Sequence, residues 1–458
     1  MKNSGFDNLK IRASYGRLGN NSIGNYDYLA TYASSITYPL GGSDALTSGV
    51  VSTLSNNALT WEITSSYDLG LEVGVFNNRL TLEADVYNRF TDGILYKGAI
   101  PATVGTKSPP WLNLCQVSNK GLEVTLGWKD SIGDFHYSIS GNFSRNWNRV
   151  EKYKGTLKAK WTEDEYGHRT YTINLGEVST STDSGRQRVV EGKLIDEWYV
   201  LNVYSGNGTY YYADGSVNPA GGPKDGMIRT PEDMAWLEAM IEDGNTFLPK
   251  EKIAKDGIWY GDMIYDDVNG DGIYGNDNDF VFQNISKHPK TYFGFNLSLD
   301  WKGIDFSAQF AGAAGFARYF KEAGRYGYGT RADLMIPAEI GYDHYFYDPE
   351  NPTDPRTNIT SKHGRLTMNT GSEQNGGAAY STHWLHKGDY LKIKNITLGY
   401  TLPKRITSRA AIENLRVFLS GENLYTFTKY PLMDPETTSV YNYYPMMRQF
   451  SIGLSVTF

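Results

Sequence analysis

The closing residues of the chain alternate strictly. Phe450, Ile452, Leu454, Val456 and Phe458 fall on one side, and Gln449, Ser451, Gly453, Ser455 and Thr457 on the other. A period of two is that of a strand whose faces meet different surroundings. Elsewhere Leu80, Leu82, Ala84, Val86 and Phe90 oppose Arg79, Thr81, Glu83, Asp85, Tyr87 and Arg89, and Phe135, Tyr137, Ile139 and Phe143 oppose His136, Ser138, Ser140, Asn142 and Ser144. Phe293, Phe295, Leu297, Leu299 and Trp301 oppose Gly294, Asn296, Ser298 and Asp300 in the same way. A face carrying Arg, Glu and Asp suits a water-filled interior better than a dry sandwich core. The pattern therefore predicts strands with lipid on one side and a polar lumen on the other.

Ten such strands are expected, over 9–19, 61–76, 79–95, 117–130, 134–150, 292–301, 304–315, 391–402, 415–427 and 448–458. Their connections alternate in length. Asn77-Asn78, residues 131–133, Lys302-Gly303 and 403–414 are short, the first three having the Asn, Asp and Gly content of hairpin turns. Residues 20–60, 96–116, 151–291, 316–390 and 428–447 are long. Counted back from the last strand, every short connection falls on one side, the arrangement of periplasmic turns and extracellular loops in outer-membrane barrels. The expected fold is all-β, an antiparallel transmembrane β-barrel segment with long extracellular loops. Within the longest loop, Thr230 before Pro231, Glu232 and Asp233 is the cap of a short helix with Met234, Leu237 and Ile241 on one face, and residues 197–204 are a strand inside the loop.

Composition fits this reading. The 458 residues show no linker that would divide them, so 1–458 is read as one unit, and 35 tyrosines supply what two aromatic girdles require. No apolar run approaches the roughly 20 residues of a membrane helix, and barrel strands need only about 9–11 alternating ones. Residues 1–10 lack a signal-peptide core. The single cysteine, Cys115, forms no intramolecular disulfide and is expected in a loop. A net charge of −7 without a basic block argues against nucleic acid as a partner.

Several runs resemble the SusC-like (SusC/RagA) family of TonB-dependent outer-membrane transporters of Bacteroidetes. They are LKIRASYGRLGN from Leu9, LTWEITSSYDLGLEVGVFNNRLTLEADVYNR from Leu59, VSNKGLEVTLGW from Val117, EGKLIDEWY from Glu191, DVNGDG from Asp267, GDYLKIKNITLGYTLP from Gly388, LSGENLYTFTKYPLMDPE from Leu419 and YPMMRQFSIGLSVTF from Tyr444. They occur in the family's order and cover nearly the whole chain outside the two largest loops. The resemblance implies nutrient import across the outer membrane, of oligosaccharides or peptides. It also implies a SusD-like surface lipoprotein as lid, and energy delivered by the TonB complex to a plug domain. The plug, the TonB box and the early strands of the family have no counterpart in the sequence. The chain is therefore expected to be the carboxy-terminal part of the barrel, roughly half of about 22 strands.

Asp267, Asn269 and Asp271 with Gly272 reproduce the opening of a calcium loop, in which oxygens at alternate positions face one ion. The Ile273 carbonyl would follow. The twelfth position is Asn278, so Asp277 or Asp279 would have to close the site. The alternative is an Asp/Asn/Gly turn cluster. His383 and His386 lack an acidic partner and are not expected to bind metal. No catalytic motif occurs, and an enzyme is not expected. Tyr210–Tyr212, Trp259-Tyr260 and Tyr441, Tyr443 and Tyr444 are aromatic clusters in the loops, suited to sugar rings, to peptide side chains or to packing between loops. A second function class, a secreted calcium-dependent β-rich glycan-binding module, accounts for the tyrosines and DVNGDG but not for the alternation of short turns with long loops.

Overall fold

The computed structural model of the chain describes residues 5–21, 23–39, 45–53, 56–97, 110–153, 157–163, 169–175, 187–188, 190–248, 251–319, 338–366, 380–431, 433–437 and 444–458. Its main feature is one antiparallel sheet of ten strands. These are β1 (Phe6–Asn20), β2 (Glu62–Val75), β3 (Leu80–Lys97), β4 (Trp111–Ile132), β5 (Phe135–Tyr153), β6 (Thr291–Trp301), β7 (Ile304–Ala314), β8 (Tyr390–Thr401), β9 (Asn414–Thr428) and β10 (Gln449–Thr457). Each pairs with its neighbours in this order. All ten strands expected from alternation are present, each overlapping its expected span.

Register explains why the sheet has two faces. One row of directly paired residues runs Phe6, Val75, Leu80, Trp128, Ile139, Leu297, Ala308, Ile396, Gly421, Phe450, crossing every strand. The adjacent row runs Asn8, Gly74, Thr81, Gly127, Ser140, Asn296, Gln309, Asn395, Glu422, Gln449. A slip of one residue in any pair would bring polar groups onto the apolar face. Bulges after Phe6 and Ile393 keep the phase where the residue count alone would lose it. Among the described residues no protein layer covers the apolar face. Leu126, Ile139, Leu398, Leu419, Phe450, Ile452 and Leu454 are all exposed, the last three at 75%, 76% and 68%. Such a continuous apolar belt belongs against lipid.

The opposite face is held by ion pairs that step over glycine. Arg12, Gly70 and Asp85 lie side by side on β1, β2 and β3. The guanidinium crosses the glycine to reach Asp85 at 2.8 Å and also meets Glu72 at 3.1 Å and Glu83 at 2.9 Å. Arg416 on β9 likewise spans β8 above Gly399 to reach Asp305 on β7 at 2.8 and 2.5 Å. A Cβ at Gly399 would sit 2.4 Å from the Asp305 carboxylate and 2.6 Å from the Arg416 guanidinium. The absent side chain makes room for the bridge.

Short turns cluster at one end. Lys302 and Gly303 both have positive φ, as a tight two-residue hairpin demands, and Asn77 and Asn78 adopt the same region. The other end carries the long connections. There the residues around 190–290 form a folded body with its own core rather than open loops. Helix α1 (Pro231–Glu242) starts as expected, with Thr230 and Asp233 forming a reciprocal capping box and Pro231 in its first turn. It buries Met234, Trp236, Leu237 and Met240, which join Tyr204, Met227, Phe247, Ile258, Tyr265 and Tyr274 in the core cluster. Strand Glu197–Leu201 pairs within this body, with strand Phe280–Ser286, as expected.

Cys115 is a correction. It lies inside β4, not in a loop, and is buried with Val117 and Val150, against Ile94, Tyr153 and Ile195. Burial pushes its thiol up to about 11, which leaves it an inert core residue. No helix among the described residues is long and apolar enough to cross a membrane.

Candidate functional site

The loop body offers an aromatic cleft. Gly261 allows the sharp turn that sets Trp259 and Tyr260 beside Tyr347; its φ is +85° and a Cβ there would meet the Tyr345 ring at 2.4 Å. Trp259 stands edge-on to Tyr260 at 5.3 Å, and Tyr260 edge-on to Tyr347 at 5.0 Å. Phe346 lies under the Arg356 guanidinium at 4.5 Å. With Tyr342, which is 91% exposed, these rings border a cleft of about 790 Å³, a size usual for small-molecule sites.

Its charges are largely internal. Arg365 makes a two-pronged pair with buried Asp262, at 2.9 Å on each arm, and Arg356 does the same with Asp354 at 3.0 and 2.7 Å. Lys255 and Asp348 remain on the rim with opposite sign. The cleft thus presents flat ring faces and polar atoms without a strong net charge.

The other aromatic clusters divide. The Tyr210 hydroxyl donates to Asp233 at 2.8 Å, and burial together with that carboxylate pushes it up to about 12; it serves the helix cap. Tyr211 and Tyr212 are exposed, at 42% and 52%. Tyr444 is exposed as well, while Tyr441 and Tyr443 lie outside the described residues.

The Asp267 loop is wound as its sequence demands. Asp267 accepts from the amides of Gly270, Asp271 and Gly272, at 2.7, 3.2 and 2.8 Å. Asn269 accepts from Asp271 N, and Asp271 from Ile273 N. Asp279 is fully buried and closes the loop from inside, accepting from Val268, Gly275 and Asn276 at 2.8 to 2.9 Å. Burial pushes its carboxyl up to about 6 against the pull of these amides. The side-chain amides of Asn269 and Asn276 both donate to Asp271 Oδ2. The side chain of Asp277 lies outside the described residues. Among the described residues no three His, Cys, Asp or Glu side chains converge on one ion-sized point. The loop as folded is closed by hydrogen bonds, with Asp267, Asn269, Asp271 and Asp279 in one neighbourhood and the Ile273 amide tied into it.

His383 sits in the turn Thr382–Trp384, edge-on to Trp384 at 4.6 Å, and His386 in the short strand Leu385–Lys387, edge-on to Tyr430 at 6.3 Å. Burial pushes both down, to about 3 and about 4. They are neutral packing groups.

Alternation in the sequence pointed to the wall and the turn motif to the Asp267 loop. It did not join residues 342–358 to Trp259 and Tyr260, because nothing local links segments about eighty positions apart.

Comparison with known proteins places the whole arrangement. The family described as "TonB dependent receptor-like, beta-barrel" matches residues 5–230. TonB-dependent receptor P3 of Formosa agariphila is 26% identical over 98% of this chain and 39% of its own length. TonB-dependent receptor SusC of Bacteroides thetaiotaomicron is 23% identical over 98% of this chain and 37% of its own. Among solved structures, that of the RagAB peptide transporter superposes with a TM-score of 0.63 at 22% identity, covering 99% of this chain and 41% of that one. The chain thus spans about two-fifths of the length of the relatives it matches. An unbroken apolar row across ten paired strands and a charged opposite face make the described sheet an outer-membrane β-barrel wall, one that is similar over residues 5–230 to the barrel of TonB-dependent receptors, SusC among them.

Proposed function

We propose that this chain is the carboxy-terminal part of the barrel of an active importer, which takes up oligosaccharides or peptides with a SusD-like lipoprotein over its loops and TonB acting on a plug outside these residues. The observation that carries the reading is the two-faced ten-strand register, which gives lipid one face and leaves a charged wall along a lumen. The role of the chain is transport, with no catalytic step. The aromatic cleft supports a ligand subsite on the external side: the partly exposed rings of Trp259 and Tyr347, backed by buried Tyr260, stack on sugar rings or peptide side chains, and its balanced charge favours neutral ligands.

Deletion of the gene tests the reading, with uptake of labelled neutral oligosaccharides and of labelled peptides measured with and without a working TonB. TonB-dependent loss of uptake of one class is the expected result. Unchanged uptake of both refutes import. Trp259→Ala then separates the cleft from the barrel, with binding of the imported class expected to weaken roughly tenfold at unchanged receptor level.

In the same reading the Asp267 loop takes calcium through Asp267, Asn269, Asp271 and the Ile273 carbonyl, closed by Asp277 or Asp279. The winding of three backbone amides around Asp267 supports this, since it holds the loop in the turn that such a site uses. Bound there, the ion would stiffen the loop body. The Asn269 and Asn276 amides would have to turn to admit it. Calcium titration of wild type and Asp271→Ala, followed by thermal unfolding of the loop body, decides: no calcium-dependent shift in wild type leaves a plain turn.

A further inference from the structure

The polar wall contains an enclosed cation. Lys392 stands on β8 between Ala311 of β7 and Thr426 of β9, on the same face as Glu72 and Glu83, and its side chain is 2% exposed. An ammonium withdrawn from water persists only when it is paired and fully hydrogen-bonded. Both oxygens of Asp434 accept from Lys392 Nζ, at 2.7 and 2.6 Å, and Glu436 Oε2 accepts at 2.5 Å. Glu436 is gripped from its other side by the Tyr390 hydroxyl, which donates at 2.7 Å, and Lys394 lies 3.7 Å away. Two lysines and two carboxylates make the cluster neutral.

The backbone around the carboxylates is tied down too. Asp434 Oδ1 accepts from Glu436 N at 2.9 Å, and the Asp434 carbonyl from Thr437 N at 2.9 Å, so the segment turns about the side chain that meets the lysine. Arg318, from the strand Ala317–Tyr319, donates Nε to the Pro435 carbonyl at 3.2 Å. Pro435 is itself buried between the two carboxylates.

We propose that residues 433–437 form a strap drawn down onto the inner wall at the loop end of the barrel, and that Lys392 is the positioning residue that holds it there by charge. This goes beyond the import reading and rests only on the polar face being the lumen side. Without the ammonium, Asp434, whose side chain is only 10% exposed, would lie unpaired beside Glu436 and be repelled by it, and the strap would swing into water. Loss of the Glu436 charge alone leaves the two-pronged Asp434 contact intact. Neutralising all three groups removes both the attraction and the repulsion, so the strap returns.

The test is made on the receptor in intact cells. Met433→Cys is the reporter, Cys115→Ser removes the native thiol, and a membrane-impermeant maleimide measures accessibility, with receptor level quantified in parallel. Lys392→Met is expected to raise the labelling rate at least about tenfold, and Glu436→Gln less than about threefold. The triple change Lys392→Met, Asp434→Asn and Glu436→Gln is expected to fall back to within about threefold of the parent. An unchanged rate in Lys392→Met at normal receptor level overturns the proposal, as does a triple variant as reactive as Lys392→Met. Should Lys392→Met fail to reach the membrane, Asp434→Asn with Glu436→Gln strands the ammonium instead: a raised rate supports the strap, and an unchanged one overturns it.

Discussion

Leu454→Arg measures what lies against the apolar face. β10 has nine residues, Gln449–Thr457. At a rise of about 3.4 Å per residue it is roughly 30 Å long, and a tilt of about 40° brings its height to roughly 23 Å, close to the apolar band of about 25 Å in such barrels. The centre of the strand is Gly453, so Leu454 lies beside the bilayer midplane, where an arginine on the lipid face costs about 2–4 kcal/mol. That is roughly a 30- to 700-fold loss in the folded-to-unfolded ratio. The control must face the lumen at similar depth. Ser455 is unsuitable, because its direct partner is Arg416 and a second arginine there would add like-charge repulsion. Ser451 is paired with Ser420, and Ser451→Arg should stay within about 0.5 kcal/mol. Folding into lipid vesicles under a urea series, read by the gel-mobility shift of folded barrels, gives both numbers. Equal penalties, or a larger one for Ser451→Arg, would mean that lipid does not meet this face. A secreted module would predict a buried apolar face, yet Leu454 is 68% exposed with no protein layer above it among the described residues.

Three further outcomes follow from the same geometry. Single cysteines in a Cys115→Ser background should be labelled from outside intact cells at Lys224 and not at Asn78; the reverse result inverts the sheet's orientation. Gly399→Ala should cost about 1 kcal/mol in urea titrations, because its Cβ would displace the Asp305–Arg416 bridge, and much less once Arg416→Ala has removed that bridge; equal costs in both backgrounds would mean the glycine is there for another reason. Asp196, held below the usual carboxylate range by its hydrogen bond to His288 and then by Lys287, binds fewer protons folded than unfolded. Its stabilisation is therefore present above about pH 4 and lost as pH falls through its lowered folded value. Proteolysis of the loop body should show a steeper acid limb in wild type than in Asp196→Asn, and superimposable profiles would dismiss the contact.

The wall was legible because lipid and lumen impose one rule on every strand. Where that rule stops, so did the reading. β4 begins at Trp111, six residues before its expected start, and there Leu114 and Cys115 are both buried, as are Val117 and Ser118. Adjacent residues are buried together because the loop body folds over this end: the Val150 amide donates to the Lys193 carbonyl, and Ile195 packs on Cys115 and Val117. With both faces covered, period two has no meaning and the strand reads as a loop. In α1 the cap was legible from Thr230, Pro231 and Asp233, but the buried face is shifted. Trp236 and Met240 are fully buried while Ile241 is only partly so. That shift is set by Phe247, Tyr204 and other distant rings, which helical spacing does not encode.

The two halves of the molecule are stabilised by different solvents. On the lipid face of the wall Ile452, Leu419, Leu126 and Ile139 are exposed, so its apolar side chains gain little from one another in water. Its stability requires a bilayer and continuous backbone pairing. Among the described residues the loop body instead holds eighteen buried hydrophobic residues in one cluster, every one of them between Tyr199 and Tyr345. That is a water-driven core. Detergent or lipid composition should therefore act on the sheet and leave the loop body folded, whereas Trp236→Ala, which empties the centre of that core, should open the cleft beside Tyr260 and spare the sheet. A binding surface built on its own core keeps its shape whatever the barrel beneath it is doing, and the strap at Lys392 reaches it only at second hand: Arg318 meets the Pro435 carbonyl, and the neighbouring Ala317 carbonyl accepts from the Trp198 indole of the loop body.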